Sequence, residues 1–227
     1  MAEDLKGMAL LFDLDGTLID TVEDLAAAMN HALKEVGLEP VPCGKVRHLV
    51  GHGARRMLVH GFQLSAGREA REHELDEGMT CFLRYYQDNI AAHSRPFEYV
   101  LEMTQSFRAR GAQAAICTNK REGLARLLIE TLGLEMLFET IVGADTAVAA
   151  KPDPSPVQLC LERTNARRAV FIGDSDTDIR AAKAAGLPSF IADFGYGPLT
   201  LANEATALFS SYREAEQLIN NAFASSQ

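Results

Sequence analysis

The chain has 227 residues, 47% of them hydrophobic, and a formal charge of −9. That length can bury a substantial core, and the composition is that of a globular protein. The acidic balance excludes an ordinary nucleic-acid binder or a protein that clings to anionic membranes, and no apolar run approaches the roughly 20 residues of a membrane helix.

The start, MAEDLKG, lacks the basic and apolar regions of a signal peptide. Cys43, Cys81, Cys117 and Cys160 lie far apart with no CxxC spacing. A reducing, cytoplasmic location is therefore expected, with Cys81 and Cys117 as buried thiols among apolar neighbours.

In chain order, the first apolar run, 8–13, predicts a buried strand that ends in Asp13-Leu14-Asp15-Gly16-Thr17. Residues 20–91 then read as helical throughout. DTVEDLAAAMNHALKEVG sets Val22, Leu25, Ala26, Met29, Leu33 and Val36 on one face and stops at Gly37. A later segment, REAREHELDEGMTCFLRYYQDNIAAH, predicts a long helix. An insertion of this size is too large for a loop, so 19–91 is expected to form a small helical cap, with its connections near 17–21 and 90–96. Four more apolar runs, at 113–117, 140–143, 169–173 and 188–191, predict strands separated by helical patterns, and SSYREAEQLINNAF predicts a final helix with Ser211 and Glu214 as a capping box. The expected fold is α/β: a Rossmann-like parallel sheet core, 1–18 with 92–227, carrying the inserted α-helical cap.

In an open parallel sheet, ligands bind beyond the carboxyl ends of the strands. Those ends carry Asp13 and Asp15, then Thr118 and Asn119, then Asp174 and Ser175, with Asp178 one turn further on; Lys151 sits in the loop AAKPDPSP. Carboxylates gathered in this way need a cation, and an oxygen-rich set without a His or Cys cluster suits Mg²⁺ rather than zinc. Lys151 adds positive charge for an incoming phosphate, and Thr118 and Asn119 offer hydrogen-bond donors to its oxygens. Thr118 and Asn119 also suit a helix cap, and both roles are compatible. Asp176 is expected to face solvent. His48 and His52 lack the Glu of HExxH, so they are not read as a metal pair.

With these motifs on the page, the chain resembles the haloacid dehalogenase superfamily of phosphohydrolases. DLDGTLID is similar to its first motif, Thr118 to its second, Lys151 before Pro152 to its third, and GDSDTD to its fourth. LVGHGARRML and DIRAAKAAGLPSF most resemble the phosphoglycolate phosphatase branch. The resemblance implies a Mg²⁺-dependent phosphomonoester hydrolase acting on a small phosphorylated metabolite, with 2-phosphoglycolate as the leading choice, as a monomer or homodimer. It implies that Asp13 attacks phosphorus to form an aspartyl phosphate and that Asp15 acts as acid and base. It also implies that Asp13, the backbone carbonyl of Asp15, and Asp174 hold the ion. Asp178 supports a metal-bound water or orients Lys151. Gly51, His52 and Gly53 are expected to face the substrate from the cap, and Arg55 or Arg56 to meet a second anionic group.

A phosphosugar mutase would keep the same core motifs. A signalling receiver domain would place its phosphorylated Asp mid-sheet and carry no cap, and a catalytically dead binding protein is opposed by the intact motifs. At the second connection, SRPFEYV keeps Pro96 but lacks the glycine of the family's Pro-Gly turn.

Overall fold

Met8–Phe12 (β1) forms the centre of a parallel sheet in the computed structural model, which describes residues 4–51, 53–197 and 199–224. The chain leaves β1 through a two-residue strand, Ile19–Asp20 (β2), and enters a helical segment. Its helices are Val22–Glu35 (α1), Cys43–Val46 (α2), Ala54–Ala66 (α3) and Glu72–Asp88 (α4). It returns through Arg95–Pro96 (β3), which pairs antiparallel with β2. The two crossings thus run side by side, Ile19 opposite Pro96 and Asp20 opposite Arg95.

The remainder alternates: Val100–Ala109 (α5), Gln113–Cys117 (β4), Glu122–Thr131 (α6), Thr140–Val142 (β5), Ser155–Thr164 (α7), Arg168–Gly173 (β6), Asp176–Ala184 (α8), Ser189–Ala192 (β7), Ala207–Phe209 (β8) and Tyr212–Ala224 (α9). The sheet order is β5-β4-β1-β6-β7-β8, with every pairing parallel. The order reverses about β1, which is flanked by β4 and β6. A crevice opens at such a switch point.

Side chains alternate across the pleat, and both faces are buried, which is why these strands read as continuous apolar runs. Leu10, Phe12, Ala114, Ile116, Val170 and Ile172 join the larger apolar cluster, with α5, α6 and α9. Ala9, Leu11, Ala115, Cys117 and Phe171 join the second, with α7 and α8. Cys117 is buried as expected. Cys81 is only half-buried, and Cys160 takes the second fully buried place, on the sheet-facing side of α7.

Three features depart from the sequence reading. The edge strand β8 was not anticipated, because ALF is too short to carry a period. Asp24, in the first turn of α1 and given no role by the sequence reading, is 3% exposed. It accepts hydrogen bonds from the backbone N–H of His93 (3.0 Å) and from both the N–H (2.8 Å) and the hydroxyl (2.6 Å) of Ser94, so it fastens the start of α1 to the returning chain. Tyr99, where no glycine is available, takes a left-handed conformation (φ 66°) at the entry to α5. Its hydroxyl donates to Glu216 (2.9 Å), and Arg213 lies 4.0 Å from its ring centre, both from α9. In the capping of α9, the hydroxyl of Ser211 accepts from Glu214 N–H (3.3 Å), while the Glu214 carboxylate caps Ser210 rather than Ser211.

Candidate active site

β1 delivers Asp13 to the switch point, where its N–H bonds the carbonyl of Ile172 on β6 (2.8 Å). One carboxylate oxygen, Oδ1, accepts from Leu14 N–H (2.7 Å) and lies 3.0 Å from Lys151 Nζ. The other has no hydrogen bond among the described residues. Lys151, 4% exposed, also donates to Asp178 Oδ1 (2.7 Å). Asp178 is fully buried, and its second oxygen accepts from Ser175 N–H (3.1 Å), Ser175 hydroxyl (2.6 Å) and Asp174 N–H (3.2 Å), closing the first turn of α8. Asp174 accepts from Thr17 hydroxyl (2.9 Å) and Tyr196 N–H (3.0 Å).

Oxygens of Asp13, Asp174 and Asp178 all lie within 4.8 Å of one another. Three buried carboxylates face one ammonium, so two negative charges go uncompensated when all three are ionised. Burial pushes Asp13 up from 3.8 to about 6; Lys151 opposes this, while Asp178 and Asp15 add to it. Burial, with Asp178 and Asp13 beside it, pushes Asp174 far above the ordinary carboxylate range. A divalent cation relieves this repulsion, and an all-oxygen donor set fits a hard ion such as Mg²⁺. Two glycines make the cradle: a Cβ on Gly16 would stand 2.5 Å from Asp174 Oδ2, and one on Gly195 2.3 Å from Asp174 Cβ.

Thr118 extends β4 and is 2% exposed; its backbone N–H bonds Val142 O (2.9 Å), and its hydroxyl oxygen accepts from Lys120 N–H (3.1 Å). Asn119 donates its amide to the Lys151 carbonyl (3.0 Å) and so ties the two loops together. Asp15 is not part of the acidic cluster. Its Oδ1 accepts from Thr21 hydroxyl (2.7 Å), and both its oxygens accept from Lys120 Nζ (2.7 and 2.9 Å).

Two cavities meet at Asp13. One, of about 240 Å³, is lined by Asp13, Asp15, Thr118 and Lys120 from the sheet side and by Gly51, Gly53 and α4 residues from the helical side. The other, about 620 Å³, runs past Asp174, Ser175, His48 and His60.

Residues 10–192 match the family described as haloacid dehalogenase-like hydrolase. The chain belongs to the haloacid dehalogenase-like hydrolases. It is 44% identical over 191 residues to a phosphoglycolate phosphatase of Mesorhizobium japonicum, covering 82% of this chain and 83% of that one. It is 40% identical over 195 residues to a phosphoglycolate phosphatase of Caulobacter vibrioides, covering 85% and 82%. The crystal structure of a predicted phosphoglycolate phosphatase from Haemophilus somnus 129PT superposes with a TM-score of 0.85 at 27% identity, over 93% of this chain and 97% of that one.

Of the residues expected from the sequence of this haloacid dehalogenase-like chain, Asp13, Lys151, Asp174 and Asp178 meet at one point, with Asp15, Thr118 and Asn119 around it. Gly51 (φ 88°) and Gly53 (φ 90°) line the smaller cavity, and Gly51 lines the larger as well. His52 lies outside the described residues. The two arginines part company: Arg55 borders the smaller cavity but is ion-paired with Glu72 and with Asp76 (3.3 Å), whereas Arg56 borders the larger with no ion pair among the described residues. Asp176 is half-buried rather than solvated, and it binds the Thr200 hydroxyl and Leu201 N–H (2.9 Å).

Sequence reasoning missed Lys120, Tyr86 and Tyr196. Lys120 reads as the start of a solvated charge run, although it directly follows Thr118-Asn119. Tyr196 lies in a Gly-rich loop; its hydroxyl accepts from Thr21 N–H (2.6 Å) and Val22 N–H (3.1 Å) and donates to Asp20 (2.8 Å), capping α1 from across the sheet.

Proposed function

We propose that this protein is a Mg²⁺-dependent phosphomonoesterase of small phosphorylated metabolites, with 2-phosphoglycolate as its first-choice substrate. Residues 19–91 act as the cap that covers the reacting groups. The observation that carries the reading is the convergence of Asp13, Asp174, Asp178 and Lys151 into a buried group short of two positive charges. The names of the curated relatives support the substrate, and the modest cavity beside Asp15 supports a small leaving group.

Asp13, Asp174 and the backbone carbonyl of Asp15 would hold the ion, with Asp178 alongside. The ion supplies positive charge against the oxygens of the transferring phosphoryl group. The oxygen of Asp13 without a hydrogen-bond partner is the nucleophile, and the bond it forms to phosphorus gives an aspartyl phosphate. Lys151 and the Thr118 hydroxyl hold phosphoryl oxygens, and Asp178 keeps Lys151 in place. Asp15, on the side of the smaller cavity, protonates the leaving oxygen and later takes a proton from the water that cleaves the intermediate. The helical wall over that cavity keeps bulk water from the intermediate.

The test is phosphate release from a panel of small phosphoesters with Mg²⁺ or with chelator. Release should require Mg²⁺ and disappear in Asp13→Asn. Turnover that survives either treatment would refute the reading.

A further inference from the structure

The smaller cavity holds two hydrogen-bond donors that the phosphoryl chemistry does not use. Lys120 is 9% exposed, and its ammonium spans both oxygens of Asp15. An ammonium carries three N–H donors, and two oxygens of one carboxylate engage at most two of them. Tyr86, reaching in from α4, is 1% exposed, and its ring centre lies 4.8 Å from Lys120 Nζ. The Tyr86 hydroxyl is buried beside the Lys120 ammonium, and its proton has no acceptor among the described residues. A buried hydroxyl left in this way costs stability, so its retention calls for an acceptor that arrives from outside. Burial pushes the phenol up to about 12, which keeps it protonated and a donor.

We propose that Lys120 and Tyr86 together read a carboxylate on the leaving group, and so select phosphomonoesters that carry an acid beside the ester oxygen. This rests on the phosphatase reading above. Asp15 marks the place of the leaving oxygen, and Lys120 is hydrogen-bonded to Asp15. In 2-phosphoglycolate the carboxyl carbon is two bonds from the leaving oxygen, so its oxygens fall on the Lys120–Tyr86 side of the same cavity.

The other cations on this cavity serve less well. Arg55 faces two carboxylates, Glu72 and Asp76, and is half-exposed, where Lys120 faces one and is buried, and Arg121 is mostly exposed and drawn to Asp145 (3.7 Å). Away from the reacting groups and Asn119 the wall is apolar, with Leu25, Met57, Met79, Phe82 and Leu124, so a carboxylate there meets little water. In such a site a charge-assisted hydrogen bond discriminates strongly.

The experiment compares kcat/KM for 2-phosphoglycolate with that for ethyl phosphate, which has the same two-carbon chain without the acid. Using the ratio cancels differences in the folded fraction between variants. In Tyr86→Phe the preference for 2-phosphoglycolate should fall about tenfold, with the loss carried by KM for the acid substrate, and in Lys120→Met about a hundredfold; Lys120→Met also strips Asp15 of its cation and slows both substrates, an effect that the ratio cancels. Because the Tyr86 proton has no acceptor, Tyr86→Phe should melt close to the wild type. An unchanged ratio in both variants overturns the proposal, as does a wild type that hydrolyses ethyl phosphate as well as 2-phosphoglycolate. The latter result leaves the phosphatase reading standing. A wild type that releases phosphate from neither substrate, nor from an aryl phosphate, defeats both.

Discussion

Removing or restoring the divalent ion should change stability in a way that depends on pH, and the sign follows from the buried carboxylates. Asp13 is raised from 3.8 to about 6 by burial, against the pull of Lys151. A carboxyl raised in the folded state binds more protons folded than unfolded. The stability this contributes is fully present below the unfolded value and is lost as pH rises through about 6. For Asp13 alone this amounts to about 3 kcal/mol lost by the ion-free protein, and Asp174, shifted in the same direction, adds to it. An ion held by these carboxylates competes with their protons, so its benefit must grow as pH rises. At a concentration about 100 times its dissociation constant, Mg²⁺ adds about 2.7 kcal/mol. For a chain of this size that is about 5–11 °C in Tm. The assay is thermal melting with chelator or saturating Mg²⁺ at about pH 7.5 and about pH 5. The shift should appear in full at the higher pH, fall by about half or more at the lower, and vanish at both in Asp174→Asn. An equal shift at the two pH values, or one that survives in Asp174→Asn, would refute the reasoning.

Three further outcomes follow from other residues. Asp24→Ala strips acceptors from the buried Ser94 N–H and hydroxyl and should cost about 3 kcal/mol, or about 6–12 °C in Tm. Burial raises Asp24, but hydrogen bonds from Ser94 and His93 outweigh it and hold the carboxyl below its ordinary range. Its contribution is therefore present above the ordinary carboxylate value and fades as pH falls through the lowered one, so the Tm gap to wild type should narrow below about pH 4. A gap that is constant with pH would show that the carboxylate charge is not what matters. Tyr99→Ala keeps the left-handed backbone and loses the contacts to Arg213 and Glu216, whereas Tyr99→Gly loses the contacts but relieves the backbone. The glycine variant should be the more stable of the two by about 1 kcal/mol in denaturant melts, and the reverse order would contradict the strain argument. Gly16→Ala puts a methyl group 2.5 Å from Asp174 Oδ2 and 2.7 Å from the Tyr196 ring at φ +84°. It should abolish both phosphate release and the Mg²⁺-induced melting shift, and retention of either would show that the loop yields.

What the sequence reveals of this site is what a strand pattern exposes. β1, β4 and β6 are apolar on both faces, so their runs stand out, and the polar residues just beyond each run point to one rim. Asp13, Thr118 and Asp174 are legible for that reason. Lys120, Tyr86 and Asp24 are not, because each obeys a local rule that hides its role. Lys120 looks like a surface charge before a helix. Tyr86 falls in an aromatic stripe at helical spacing with Phe82, as a core residue would. Asp24 sits in a helix's first turn, where acids are favoured by the dipole alone. Their partners are Asp15, Lys120, and His93 with Ser94, each far away in the chain, and no local pattern encodes such pairings. Asp176 is the converse case: its local position predicts solvent, and a loop some 24 residues downstream claims its carboxylate.

The acidic residues of the first motif end up in two electrostatically different groups, although only Leu14 separates them. Asp13 shares one ammonium with Asp178, beside Asp174, and that group keeps excess negative charge. Asp15 has Lys120 to itself and is balanced. A dication is therefore drawn to Asp13 and not to Asp15, even though both are buried carboxylates in the same crevice. The balanced pair gives the side chain of Asp15 no excess charge with which to hold the ion. The excess charge around Asp13 is the feature that favours a cation there. Tyr196 links the two sides: its backbone N–H holds Asp174, while its hydroxyl holds the first turn of α1 and Asp20 at the crossing. Any shift of the helical segment about β2 and β3 must therefore strain or release a hydrogen bond to Tyr196, the residue whose backbone N–H bonds Asp174.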